Sequence, residues 1–345
     1  EIDLFHQTAY LKQEAFAALS RTDWEIAAQE LALSINTIRA FDAVLYRQQK
    51  LAVAQEFLRL NQQGAEEVKQ LMERGTVKSG DLIVSRAEVS DIRSQIIVNQ
   101  TAITSAKRDY YRALGIMDSQ VNPEGTLERI GPVRETAFWL QAANDLRPDL
   151  CARMAAVREA EAGIRLQKSN RFGNPSVGPI YATNESNDTF VGAQLQVPIP
   201  VLNFHDGEIR QAESQDVQAR RSVHQTEVEI WQDVTTAAAN LTETLHLVEN
   251  YRQEILPSLR KGLQDTELLF QQGQGGVDLL HVLDMRRKLL KAEDGYLDAL
   301  WAYTTAMADR AQGVGDASVA MGQYGNESHT PIDGCPPSDV QQPKQ

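Results

Sequence analysis

The chain has 345 residues, of which 23% are charged and only 6% aromatic, and its formal net charge is −13. That acidity excludes a nucleic-acid groove, which needs a basic face, and excludes docking on anionic lipid through a basic patch. The composition suits long helices better than a globular α/β enzyme.

Residues 6–74 contain no proline and read as one very long helix, or two nearly continuous ones, spanning on the order of 100 Å. Val44, Leu51, Leu58, Ala65 and Met72 recur every seven residues, with Ala54 and Val68 partway between. That spacing predicts a coiled-coil seam rather than a broad apolar face. Gly75 fits the position just past a helix end. Gly75-Thr76-Val77-Lys78-Ser79-Gly80 then turns the chain into a second helix, with Ser79 or Asp81 available at its N-terminus. There Leu82, Val89, Ile96, Ile103 and Tyr110 again recur every seven residues, so the two helices predict an antiparallel hairpin.

Residues 115–147 carry Asn122-Pro123-Glu124-Gly125 and Gly131-Pro132 and read as an irregular connector. Pro148 fits the first position of a helix running to about Lys168. Residues from about 175 to 201 change period. Val191, Ala193, Leu195 and Val197 fall on one face, and Gly192, Gln194 and Gln196 on the other. With a weaker strand over Val177–Thr183 and a polar link between them, this predicts a β-hairpin. A long helix returns over residues 206–272, with Leu241, Val248, Ile255 and Leu269 at heptad spacing. Gly273-Gln274-Gly275-Gly276-Val277-Asp278 makes a second turn, and a last helix ends near Gln312. Residues 314–345 are rich in Gly, Pro, Ser and Asp and read as a disordered tail.

The chain nearly repeats itself. Gln55-Glu56-Phe57-Leu58 recurs as Gln253-Glu254-Ile255-Leu256, Gly75 as Gly273, Phe5-His6 as Phe204-His205 and Asp81-Leu82 as Asp278-Leu279. A duplicated long unit means one supersecondary element used twice. The first copy covers 1–114, the connector 115–147 and the second copy 148–313, whose helical hairpin is 206–312. The counterpart of residues 147–200 would precede residue 1, so the expectation is a first repeat that lacks its front, including its β-hairpin.

Chemistry is absent from the pattern. There is no nucleophile motif, no phosphate-binding glycine loop and no cluster of metal ligands, so neither an enzyme nor a cofactor is expected. Repetition alone accounts for His6 and His205. Cys151 and Cys335 are too few for a disulfide framework, and a bridge between them is not expected. No apolar run reaches the ~18 residues of a transmembrane helix. Alternation of apolar and polar residues over about ten positions is instead the signature of a transmembrane β-barrel. One chain has too few strands to close a barrel, which would require cyclic association of several subunits.

Four stretches carry a family resemblance. They are Arg147-Pro148-Asp149-Leu150 with Ala160-Glu161-Ala162-Gly163-Ile164, Asn174-Pro175-Ser176-Val177-Gly178, and Val197-Pro198-Ile199-Pro200-Val201-Leu202-Asn203-Phe204. The fourth is Ile255-Leu256-Pro257 followed by Gln272-Gly273 and Val277-Asp278-Leu279-Leu280-His281-Val282-Leu283. Over residues 1 to about 313 the chain resembles the outer-membrane efflux proteins, the TolC-like channel tunnels. The resemblance implies a mainly α fold with a small β part. Long antiparallel coiled-coil hairpins would form a trimeric α-barrel, and β-hairpins would contribute to a trimeric transmembrane barrel of twelve strands.

It further implies a passive exit duct in the cell outer membrane, extending into the periplasm and in contact with outer-membrane lipid. Its partners would be two further copies of itself, a periplasmic adaptor (membrane fusion) protein and an inner-membrane pump. The adaptor-docking and aperture tips would be Gly75, Val77, Ser79, Gly80 and Asp81 with Gly273, Gly275, Gly276, Val277 and Asp278. Val191, Ala193, Leu195 and Val197 would face lipid, and Gln194 and Gln196 the lumen. The alternative reading is a water-soluble coiled-coil scaffold, which explains the heptads and the acidity but not the alternating hairpin.

Overall fold

The computed structural model describes residues 2–75, 77–117, 121–129, 131, 134–185, 188–198, 204–272 and 277–322. Seven helices and one two-stranded sheet occur among them: α1 (Gln7–Glu73), α2 (Ser79–Leu114), α3 (Thr136–Leu146), α4 (Pro148–Asn170), β1 (Ser176–Thr183), β2 (Thr189–Gln196), α5 (Asp206–Asn250), α6 (Leu256–Gln272) and α7 (Leu279–Val314). The chain divides into two compact units, one built from Glu1–Glu30 and Leu140–Gln232, the other from Leu31–Trp139 and Asp233–Glu327.

In the first unit, small residues of α4 make the close contacts. Cys151, Ala152 and Ala155 pack on Trp24 of α1, and Glu159 accepts from the Arg21 guanidinium at 2.7 Å. The helix starts share one device. His6 and His205 both adopt left-handed backbone, φ 56° and 54°, and their carbonyls accept the first helical bonds, from Tyr10 and Ile209. Histidine is among the residues that tolerate this conformation. The recurrence of the two histidines at equivalent places therefore has a backbone explanation. Asp3 accepts from the Gln7 and Thr8 N–H groups at 2.8 and 2.9 Å, satisfying donors that the first turn of α1 leaves open.

Cys151 differs from expectation: it is buried and disulfide-bonded. Cys335 lies outside the described residues. Residues 136–146 also depart from the irregular connector read from sequence, because Thr136–Leu146 is helical. Eleven residues without proline or glycine are free to take that conformation, and the turn-forming prolines and glycines lie before them.

The second unit holds the long seams. On α2, Leu82, Val89 and Tyr110 are buried at the predicted positions, with Ile96 and Ile103 half-buried. On α1 the deeper row is Ala54, Asn61 and Val68, and the predicted row of Leu51, Leu58, Ala65 and Met72 is its half-buried neighbour. Asn61 is tolerated inside because its amide donates to the Phe57 carbonyl at 2.9 Å.

The predicted seam of Leu241, Val248, Ile255 and Leu269 holds only in its first half. Residues Tyr251–Ile255 form a π-turn between α5 and α6, in which the Leu256 N–H bonds back to Tyr251. Pro257 has no N–H for the carbonyl four residues earlier, which favours the wider turn just before it. The extra residue moves the seam to Leu256 and Leu263, both buried, and leaves Leu269 37% exposed.

Three apolar clusters follow the hairpins of this unit. One joins Leu45, Leu241, Val248, Leu300, Tyr303 and Met307 under Leu127 of the connector. The next joins Phe57, Ile92, Leu256, Leu263 and Leu289. The third joins Val68, Leu82, Leu279 and Leu283 near the turns. The chain also stays folded past residue 313. Val314 is buried, Asp316 caps a single 3-10 turn over Ala317–Met321 through the Ser318 N–H, and Val319 and Ala320 are buried. The disordered tail expected from residue 314 therefore does not begin there, because Val314, Val319 and Ala320 bury apolar side chains. Residues 323–345 lie outside the described set. Among the described residues, no helix is long and apolar enough to cross a membrane.

Candidate functional site

The two helical turns of the second unit come together. Gly75, at φ 76°, ends α1 with its N–H on the Met72 carbonyl at 2.9 Å, a conformation that favours glycine. The cap of α2 is Lys78 rather than Ser79. Asp81, in the first turn, accepts from the Lys78 N–H at 3.3 Å. Asp278, the repeat partner of Asp81, takes the capping position itself on α7 and accepts from the His281 N–H at 3.0 Å. That bond, followed by the His281 imidazole at 2.6 Å, holds the Asp278 carboxyl below the ordinary carboxylate range.

Val77, Asp81, Val277 and Asp278 all line one groove of about 740 Å³ between the turns, with Leu71, Arg74, Lys78 and Phe270. Leu279 joins the groove to the buried cluster of Val68, Leu82 and Leu283, on which Val77 and Phe270 pack. Ser79 and Gly80 are exposed beside it, and a Cβ at Gly80 would meet nothing within 4 Å. Gly273, Gly275 and Gly276 lie outside the described residues.

A lock between helices above the groove has no signature in the heptads. Arg286 of α7 binds Glu267 of α6 at 2.7 Å and donates to the Leu60 carbonyl of α1 at 3.3 Å. Gly64 makes room for it, since a Cβ there would lie 2.5 Å from Arg286 Nη1. The repeat-equivalent Gly262 faces Met285 instead. The signal that could have found the lock is the recurrence of glycine at both positions inside helices, where glycine is otherwise costly. A second polar cluster joins Lys50 of α1 to Asp298 at 2.8 Å and Asp294 at 3.7 Å on α7, with the Tyr46 hydroxyl donating to Asp298. Burial raises the Asp294 carboxyl above its ordinary range, against the pull of Lys50.

In the first unit, β1 and β2 pair antiparallel, with Val177 opposite Leu195, Pro179 opposite Ala193 and Tyr181 opposite Val191. Directly opposed residues share a face. One face therefore collects Val177, Pro179, Tyr181, Val191, Ala193 and Leu195, so the apolar row read on β2 continues across β1. The other face is mixed. Ser176, Gly178, Gln194 and Gln196 lie toward the helices, and Ile180, Ala182 and Phe190 toward the turn. Large apolar side chains on this sheet are exposed, Val191 to 79% and Tyr181 to 74%, and Val197 just beyond β2 is exposed as well.

The outer membrane efflux protein family matches residues 139–312, half of the chain. No curated protein matches it. Among solved structures, the chain is similar to a membrane protein of Pseudomonas aeruginosa, at TM-score 0.76 and 17% identity over 91% of this chain and 74% of that one. It is also similar to the outer membrane protein VceC of Vibrio cholerae, at 0.74 and 14% over 91% and 77%. A third is the open state of the MtrE outer membrane channel of Neisseria gonorrhoeae, at 0.73 and 16% over 93% and 74%. At these identities the likenesses show a shared fold. The chain belongs to the outer membrane efflux protein family.

Proposed function

We propose that this outer-membrane protein is one protomer of a homotrimeric, passive exit duct that receives its cargo from an inner-membrane pump through a periplasmic adaptor. The observation that carries the reading is the pairing of two unlike exposed surfaces in one family member, a groove between helical turns and an apolar sheet face. A two-stranded sheet is marginal in water by itself. Its exposed apolar face suits hydrocarbon once neighbouring copies supply the missing strand partners. Val191, Ala193, Leu195 and Val197 would then face lipid, and Gln194 and Gln196 the lumen. A soluble scaffold has no use for such a sheet. On α1, Leu19, Ile26 and Leu33 are exposed at seven-residue spacing, an apolar stripe that suits a neighbouring copy's helix.

The tips at Gly75, Val77, Ser79, Gly80 and Asp81, with Gly273, Gly275, Gly276, Val277 and Asp278, are proposed to receive the adaptor. Gly80→Arg tests this, because Gly80 is exposed and a Cβ there meets nothing within 4 Å. Export should fall while the trimer still forms and melts as wild type. Normal export from that variant would remove the case for docking at the tips.

A further inference from the structure

α2 contains a stretch unlike the rest of the chain. Residues 94–106 are thirteen in a row without a charge, in a sequence that is 23% charged. None of the thirteen is buried, and Ile97 and Val98 are 64% and 67% exposed. A helical segment with no charge on any side is one that packs against something on most sides. Its hydroxyls need little from water, since those of Ser94, Thr101 and Thr104 each donate at 3.1 Å to a carbonyl one turn back.

The internal repeat points to what covers this face. α7 is the repeat partner of α2. At the spacing that matches Asp81 with Asp278, Ile97, Thr101 and Thr104 correspond to Asp294, Asp298 and Trp301. On α7 those three residues meet α1. Lys50 binds Asp298 at 2.8 Å and Asp294 at 3.7 Å, and Tyr46 stacks on Trp301 with ring centroids 5.3 Å apart. Within one chain, the second long helix of one repeat therefore lies against the first long helix of the other. We propose that α2 makes the same contact between chains, so that the face of Ile97, Thr101 and Thr104 seats α5 and α6 of a second copy. The inference rests on the homotrimeric reading above and names the faces that meet.

A ring closes through heterologous contacts, in which one face of a subunit meets a different face of the next. α2 and α5–α6 supply such a pair. α5 and α6 expose Leu247 to 44% and Leu268 to 53%, apolar partners for Ile97 and Val98. The equivalent stretch of α7, residues 291–303, carries Lys291, Glu293, Asp294 and Asp298, and its acids find Lys50 inside the chain. On α2 the matching positions are neutral. That suits a face shut away from water in the assembly, where a charge without a partner is costly.

The test uses the full-length protein in outer membranes, with a photoreactive benzophenone side chain at position 101. Illumination should join two copies, and digestion and mass measurement should place the adduct within residues 233–272 of the second copy. An adduct confined to one chain, to another protein or to another segment of the second copy would overturn the inference. So would the absence of any adduct from particles that weigh as trimers. Particles that are not trimers would instead overturn the duct reading, and this contact with it. Ile97→Glu supplies a second measurement. The side chain is exposed in one copy, so the monomer should fold as wild type by circular dichroism. The ratio of trimer to monomer in detergent should fall at least about tenfold, because the new carboxylate is shut into the interface without a partner. An unchanged ratio would contradict the proposal.

Discussion

Val248 and Leu256 are consecutive members of one buried seam although they stand eight residues apart in a chain whose contacts otherwise recur every seven. The π-turn at Tyr251–Ile255 absorbs the extra residue, and Gly295 of α7 leaves space for Tyr251, whose hydroxyl a Cβ there would approach to 2.5 Å. The equivalent stretch of α1 has no such turn and buries Phe57, the repeat partner of the half-buried Ile255. The duplicated sequence is thus kept while its packing frame slips by one position.

That slip makes a prediction opposite to the plain heptad. Leu263→Ala should cost about 2–4 kcal/mol, as expected for a buried leucine, and Leu269→Ala less than about 0.5 kcal/mol. Thermal unfolding of the two variants checks the order, and a larger loss at Leu269 would restore the unbroken heptad.

The glycines at equivalent places should respond differently. A methyl at Gly262 meets the end of the Met285 thioether at 3.0 Å, which can move aside. Gly262→Ala should therefore be neutral or stabilising by up to about 1 kcal/mol, from helix propensity. At Gly64 the same methyl strikes a guanidinium held by Glu267 and the Leu60 carbonyl. Gly64→Ala should lose that gain and melt below wild type.

A buried ion pair gives a signed pH dependence. Burial holds the Asp42 carboxyl above its ordinary range, while the Arg129 guanidinium bonded to it pulls the other way. With a raised folded pKa, the folded chain keeps this proton longer than the unfolded chain does. Stability from this group is therefore largest below the ordinary carboxylate pKa and declines as pH rises toward the raised value. Arg129→Ala removes the compensating charge. It should cost about 3 kcal/mol near pH 8, with a deficit that shrinks as pH falls toward 4. A deficit that grows on acidification would reverse the assignment.

At the tip the sign is the other way. The lowered Asp278 pKa means that its contribution is present above the ordinary carboxylate pKa of about 3.9 and is lost as pH falls through the depressed value. Asp278→Ala should speed amide exchange at His281 at neutral pH, and Asp278→Asn should hardly change it, because asparagine caps as well.

Much of this was legible from residue spacing. The α2 seam from Leu82 to Tyr110 and the shared face of Val191, Ala193 and Leu195 follow directly from periods of seven and two. The π-turn was hidden because its cause, the N–H that Pro257 lacks, acts on a carbonyl one turn earlier and changes no apolar spacing in the sequence. The Arg286 lock and the Asp42–Arg129 pair join residues hundreds or tens of positions apart. Charged residues at such separations have no period to betray them. The bonded state of Cys151 is not legible either, because a single cysteine inside a helical pattern looks the same whether or not its sulfur is bonded.

The most direct test of the proposed trimeric duct is the mass of the complex extracted in detergent from outer membranes after expression of the complete reading frame. Three copies per particle, found in the outer-membrane fraction, is the predicted result. A monomer or dimer that stays in solution without detergent would contradict the account.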